Sequence, residues 1–382
     1  MLARLLVHAR YLTMNAVLAV NIAALCVGGA WLVSGFVLAL FLATIVDEAV
    51  GDDKAAFGPA WTWFLDLQLF LALPLLALNV ALFAFLCGSS DPFSLIPLLR
   101  GFGVDLEAAR AATGAWSLFG GMLAIGLFIG AAGTNVAHEL IHRTNDRLAM
   151  FVGRFLLGFS GDTSFSIEHV YGHHIHVATD ADPATARRGE YVLRFAVRSI
   201  IDGNLSAWRI EAARLARRKL PLWSPYNRWL RGQMFTLAIF AAAAVLGGWL
   251  GLALVIGCAI QGKLYLEVVN YIEHYGLVRV PGQRVEPRHS WNCARLVSSA
   301  ILFNLPRHSH HHMFATKPYW QLACEADAPT MPYGYKTMII IALMPRLWQK
   351  VMEPRLEIWD TRFANEQERK ILAERGWLQT AA

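Results

Sequence analysis

Long apolar runs alternate along the chain with polar stretches that hold most of its charge, and the apolar runs are long enough to cross a bilayer. Measured against the ~20 apolar residues a crossing needs, about six spans are predicted, near 14–32, 33–47, 61–86, 114–137, 233–250 and 252–272. The first pair turns around Ser34-Gly35 and the last pair around Gly247-Gly248, while the third span carries one ionisable residue, Asp66. Segments 138–231 and 273–358 are expected outside the bilayer, followed by a polar tail over 359–382. The predicted fold class is all-α: a polytopic membrane protein with a single membrane-embedded domain over 1–382.

Composition strengthens the membrane reading. Of 382 residues, 56% are hydrophobic and 16% charged, with a mean hydropathy of +0.40, whereas a soluble domain carries roughly a quarter charged residues. The net charge of +6 does not point to nucleic acid, because the basic residues crowd into the segments between spans. The stretch 138–231 holds Arg143, Arg154, Arg187, Arg188, Arg198, Arg217, Arg218 and others, but 88–113 holds only Arg100 and Arg110. With the basic start (Arg4, Arg10) in the cytoplasm, six crossings place both polar segments on the cytoplasmic side. A signal peptide over 1–33 is the competing reading, and its removal would break that parity. Cys26, Cys87, Cys258, Cys293 and Cys324 form no CxxC pair, so neither a disulfide framework nor an iron–sulfur or rubredoxin-type module is expected.

The chemistry is carried by histidine. Nine of the 13 histidines form four clusters, each at or beyond the end of an apolar run: His138-x-x-x-His142, His169-x-x-x-His173-His174, His274, and His308-x-x-His311-His312. Imidazole is the commonest protein ligand for transition metals, and nine ligands divided between two ions give four or five nitrogens each. On a helix, residues four apart share a face, so His138 and His142 can grip one ion. In the longer clusters two histidines serve one ion while the adjacent one points elsewhere. All-imidazole sites suit zinc, copper, iron or nickel; an apolar membrane cavity with no hydrolytic substrate favours iron and redox chemistry. His8 and His289 read as packing residues, and His176 and His310 as extra histidines within clusters.

The four clusters, as His138-Glu-Leu-Ile-His-Arg, Glu168-His-Val-Tyr-Gly-His-His, Asn270-Tyr-Ile-Glu-His-Tyr-Gly-Leu and Leu305-Pro-Arg-His-Ser-His-His-His312, resemble the histidine motifs of the integral-membrane alkane 1-monooxygenases. The resemblance runs in order from about residue 10 to 358, and includes Met331-Pro-Tyr-Gly-Tyr335. Membrane desaturases share part of the pattern, with three boxes and an HxxHH second box. The resemblance implies two non-haem irons held by His138, His142, His169, His173, His174, His274, His308, His311 and His312. It also implies O₂ as cosubstrate and terminal hydroxylation of medium- or long-chain alkanes. Electrons would come from a rubredoxin or ferredoxin with its NAD(P)H-dependent reductase, and the enzyme would sit in a bacterial inner membrane with its site facing the cytoplasm. Arg143, Pro306 and His310 depart from residues usual in the family. Oxidation of an aromatic methyl group or a fatty acyl chain by the same centre is the alternative, and non-enzymatic metal handling the alternative of another class.

Several acids stand near the ligands in sequence and are candidates to orient their rings: Glu139, Glu168, Asp180, Asp182, Glu190 and Glu273. The cluster Arg214, Arg217, Arg218 and Lys219 could steer an acidic electron carrier, though membrane orientation explains it more simply.

Overall fold

The computed structural model describes residues 7–54, 58 and 60–378, so Arg4 lies outside the described residues. Among these every regular element is a helix, with isolated bridges but no strand. Five helices are long and apolar enough to cross a membrane: α1 (Val7–Val27), α2 (Gly29–Val50), α3 (Thr62–Cys87), α4 (Ala115–Ile141) and a long α7 (Arg228–His274). Between α4 and α7 lie α5 (Arg147–Gly158) and α6 (Val192–Arg217). After α7 come α8 (Leu296–Ile301), α9 (His308–Met313), α10 (Tyr335–Ala342) and α11 (Pro345–Ile358).

Helix α7 is broken where its sequence allows. Gly248 adopts φ 60° and ψ −157°, a conformation costly for any residue with a Cβ, and the chain folds back there. The ends of α7 consequently meet the same segment: Gln233 Nε2 donates to Thr163 Oγ1 at 3.2 Å, and Lys263 Nζ donates to Asp162 Oδ2 at 2.5 Å. The five apolar helices thus supply six passes.

The first turn falls elsewhere than expected. The break between α1 and α2 is at Gly28 and Gly29, both with positive φ, and a Cβ at Gly28 would stand 2.2 Å from the Ala109 carbonyl oxygen. Gly35, expected in the turn, lies within α2 and gives room to the Asn21 side chain. Three polar side chains bind α1 to α3: Asn21 Nδ2 donates to Asn79 Oδ1 at 2.7 Å, Asn79 Nδ2 to the Leu18 carbonyl at 3.1 Å, and Asn15 Nδ2 to the Gln68 carbonyl at 2.9 Å. In a lipid environment each such contact contributes about 0.6 kcal/mol.

Contacts sort cleanly between the two ends of the bundle. At one, Gly29 N donates to Thr113 Oγ1 and Arg110 reaches the Phe85 carbonyl. At the other, Asp47 accepts from Ser298 N and Oγ (2.8 and 2.6 Å), and Asp66, the ionisable residue of α3, pairs with Arg143 at 2.7 Å. The second end carries the cap. There, Trp291, Met331, Trp348, Met352 and Trp359 form a separate apolar core over the end of α7, while the larger core fills the bundle. The histidines lie between the two.

Candidate metal centre

All nine clustered histidines converge, and they divide into two groups. His138, His142, His169, His174 and His311 form one; His173, His274, His308 and His312 form the other, and within each group the donor atoms lie within 4.8 Å of one another. The two touch, since the His174 and His312 rings have centroids 4.4 Å apart.

Local helix geometry decides which histidine joins which group. His138 and His142, on one face at the end of α4, fall in one group, as their spacing of four predicts. The same α-helical spacing would pair His169 with His173, but residues His169–His173 form a π-turn, whose extra residue per turn aligns positions five apart. His169 therefore joins His174, and His173 faces the other group. In α9 the ordinary α-helical turn returns: His308 and His312 share one site and His311 the other.

In the five-histidine group, Nε2 of His169 lies 3.1 Å from Nε2 of both His142 and His174, and Nε2 of His174 lies 3.1 Å from that of His311. In the four-histidine group, Nε2 of His308 is 3.1 Å from that of His274 and 2.9 Å from that of His312. One ring proton cannot satisfy two neighbours, so hydrogen bonding does not account for this convergence. Nitrogens at about 2.1 Å from a shared ion and at right angles lie about 3 Å apart, which matches. Nε2 of His138 and of His173 are buried with no hydrogen-bond partner. The donor set fits transition-metal ions.

Electrostatics favour the ligand-competent state. Burial first, then the mutual repulsion of neighbouring rings, holds His142, His169, His174, His308, His311 and His312 below the ordinary histidine range, His142 at about 3. Neutral imidazole is the form that binds metal. His173 goes the other way: burial opposes its charge, but Asp182, Glu168 and Glu273 together outweigh burial and raise it.

The acids divide sharply. Asp182, buried, takes both its oxygens to His173 Nδ1 at 3.0 Å, which leaves Nε2 to face the site. Glu273 does more than orient a ring. Its Oε2 lies 3.2 Å from His308 Nε2, on the donor side of the four-histidine group, while Tyr335 O–H donates to its Oε1 at 2.9 Å. Glu168 is buried beside His169 and His173 with Oε1 unpartnered, and burial, then repulsion from Asp182, raises its carboxyl above the ordinary carboxylate range. Glu139 bonds Arg143 and Tyr319 N rather than a ring. Asp180 and Glu190 do not serve the histidines: Asp180 is exposed and pairs with Arg375, and Glu190 is taken up by Arg198.

The remaining histidines are elsewhere. His8 packs on Trp61, and His289 bridges the Glu286 amide and Glu368. His176 is exposed, and His310 turns toward Lys317, Ala323 N and Glu325.

A cavity of about 110 Å³ leads to the histidines from within the bundle. Met14, Val17, Ala39, Phe128, Leu266 and Ile339 wall it with apolar surface. At its histidine end stand His138, His169 and His308 with Thr134, Asn135, Asn270, Glu273 and Tyr335. Sequence reasoning missed Tyr335 and Lys336 as site residues; only the unusual lysine among apolar neighbours marked the second.

Known proteins place this geometry in a class. Residues 114–342 match the fatty acid desaturase family. Alkane 1-monooxygenase 1 of Pseudomonas aeruginosa is 38% identical over 272 residues, 69% of this chain and 71% of that protein. Alkane 1-monooxygenase 2 of Alcanivorax borkumensis is 36% identical, over 63% of this chain and 64% of its own. The hydroxylase component of the xylene/toluene monooxygenase of Pseudomonas putida is 28% identical over 95% of this chain and 92% of its own. Within the desaturase class, the chain belongs to the alkane 1-monooxygenase family.

Proposed function

We propose that the chain is a membrane monooxygenase that hydroxylates the terminal carbon of medium- or long-chain alkanes, using O₂ and two electrons from a rubredoxin- or ferredoxin-type carrier with its NAD(P)H-dependent reductase. The observation that carries this reading is the junction of two all-histidine groups with an apolar cavity walled by membrane helices. Iron is the metal proposed, one ion held by each group, and when bound it supplies the O₂-activating redox chemistry that no side chain here possesses. The protein's own residues do the rest. Apolar walls accept a substrate with no functional group to recognise, and confinement replaces recognition by holding one end of it against the histidine face. The cap core over α7 keeps bulk water from that face. Asp182 fixes the His173 ring, and Tyr335 holds the Glu273 carboxylate toward the four-histidine group.

The histidine end of the bundle is proposed to face the cytoplasm, in a bacterial inner membrane, because the basic residues concentrate on that side. Arg217, Arg218 and Lys219 are exposed there, whereas Arg214 is committed to Glu211. A second reading, oxidation of an aromatic methyl group, is favoured by the near full-length match to the xylene/toluene hydroxylase component.

Metal analysis of the purified protein, with O₂-dependent turnover of octane, hexadecane and xylene in membranes given carrier, reductase and NADH, tests both. Two irons per chain and terminal alcohols are expected. Benzylic alcohol alone would replace the first reading by the second, and zinc or copper without turnover would end both.

A further inference from the structure

Lys336 brings the only ammonium to the cavity wall among the described residues. It is 9% exposed, its Nζ donates to Tyr265 OH at 3.2 Å, and it lies 4.3 Å from the centre of that ring. No carboxylate stands within ion-pairing distance of it among the described residues. The comparison with Lys263 is direct: that lysine, also packed inside the bundle, is held by Asp162 at 2.5 Å and Glu267 at 2.7 Å. A buried charge without a counter-ion is destabilising, and one kept within the depth of a membrane bundle points to a ligand that completes it.

Its position defines that ligand. Tyr335 and Lys336 are neighbours at the start of α10 but reach different levels of α7, Tyr335 touching Glu273 and Lys336 touching Tyr265. Those two levels are about 12 Å apart along a helix axis. The ammonium therefore faces the cavity roughly two turns below the histidines, with the apolar wall between. We infer that Lys336 receives the carboxylate of an amphiphilic substrate, a medium-chain fatty acid, so that its far methyl end lies at the histidine face. An alkane leaves the ammonium bare, whereas a carboxylate pairs with it and also measures out the chain. The inference rests on the monooxygenase reading and narrows its substrate.

Binding of decanoate and of its uncharged methyl ester to the purified holoenzyme, by isothermal titration, separates charge from chain. For wild type, decanoate is expected to bind at least about tenfold more tightly than the ester, the worth of a buried charge-assisted hydrogen bond. That preference should vanish in K336M and survive in Lys336→Arg, which also shows that the position tolerates substitution. In turnover, decanoate should yield its terminal hydroxy acid, with the ratio of decanoate to decane oxidation falling in K336M. Equal binding of acid and ester by wild type, or a preference untouched in K336M, overturns the inference even if decane is oxidised. A preference that disappears in K336M, with no oxidation of either compound, supports the carboxylate site and overturns the monooxygenase reading instead.

Discussion

The two histidine groups are unequal partners. The first has five imidazoles and no carboxylate among its donor atoms; the second has four imidazoles, a carboxylate behind His173 and another, Glu273, beside His308. Dipositive ions in the two sites would thus have different surroundings, since only the second group has carboxyl groups, Asp182 and Glu273, in direct contact with its histidines. The four-histidine group is also the more completely buried, since His174 of the other group is only half-buried. In the group with fewer histidines only the His173 ring is held by a carboxylate on Nδ1, whereas the His274 and His308 rings meet backbone groups of His289 and Leu305.

The largest effect should come from deleting a ligand on either side. His142→Ala leaves four imidazoles in its group, and His308→Ala leaves three. Both are expected to abolish turnover by more than the roughly 10- to 100-fold typical of residues behind a ligand. Metal content should differ: H308A is expected to purify with about one ion per chain, and H142A to retain more than that. Equal retention in the two variants would remove the proposed inequality.

Asp182→Asn probes the carboxylate that only one group has. An amide can still accept the Nδ1 proton but carries no charge, and a roughly 10- to 100-fold loss of metal affinity is expected. It should be confined to one of the two ions, read by titrating apoprotein with ferrous iron under anaerobic conditions. Equal weakening of both sites would show that His173 is not held to one group.

How much of this asymmetry the sequence revealed follows from which feature sets it. The apolar runs were legible because membrane length is a one-dimensional constraint, and Gly247-Gly248 marked its turn because a reversal needs a residue free of Cβ strain. The first turn was not, since Ser34-Gly35 and Gly28-Gly29 look alike until Ala109, far along the chain, closes on Gly28. The nine histidines were legible from spacing and resemblance. Their division was not, because it depends on a π-turn at His169–His173 that no composition rule announces. Proximity in sequence misled for Asp180 and Glu190, which sit in the loop after the second cluster but face arginines. Lys336 required the cavity to be seen.

The smallest effect belongs to a residue that serves both groups at once. Glu211 on α6 accepts from Arg214 (2.6 and 2.8 Å) and from Arg228 at the start of α7 (2.8 Å), and the Arg228 guanidinium lies 5.0 Å from the centre of the Tyr171 ring, in the π-turn that feeds both sites. Burial opposes its charge, but the arginine hydrogen bonds prevail and hold its carboxyl at about 2, against an ordinary 4.5. A carboxyl lowered on folding stabilises the folded state above its unfolded value, and that stabilisation is lost as pH falls through the folded one. The Tm gap between wild type and Glu211→Gln should therefore be constant from neutral pH to about 4.5, then close toward pH 2. Both ions should be weakened alike, in contrast to Asp182→Asn. A gap that stays open at the acid end would show that Glu211 acts through packing rather than charge, and a weakening of one ion alone would show that the π-turn does not couple the two groups.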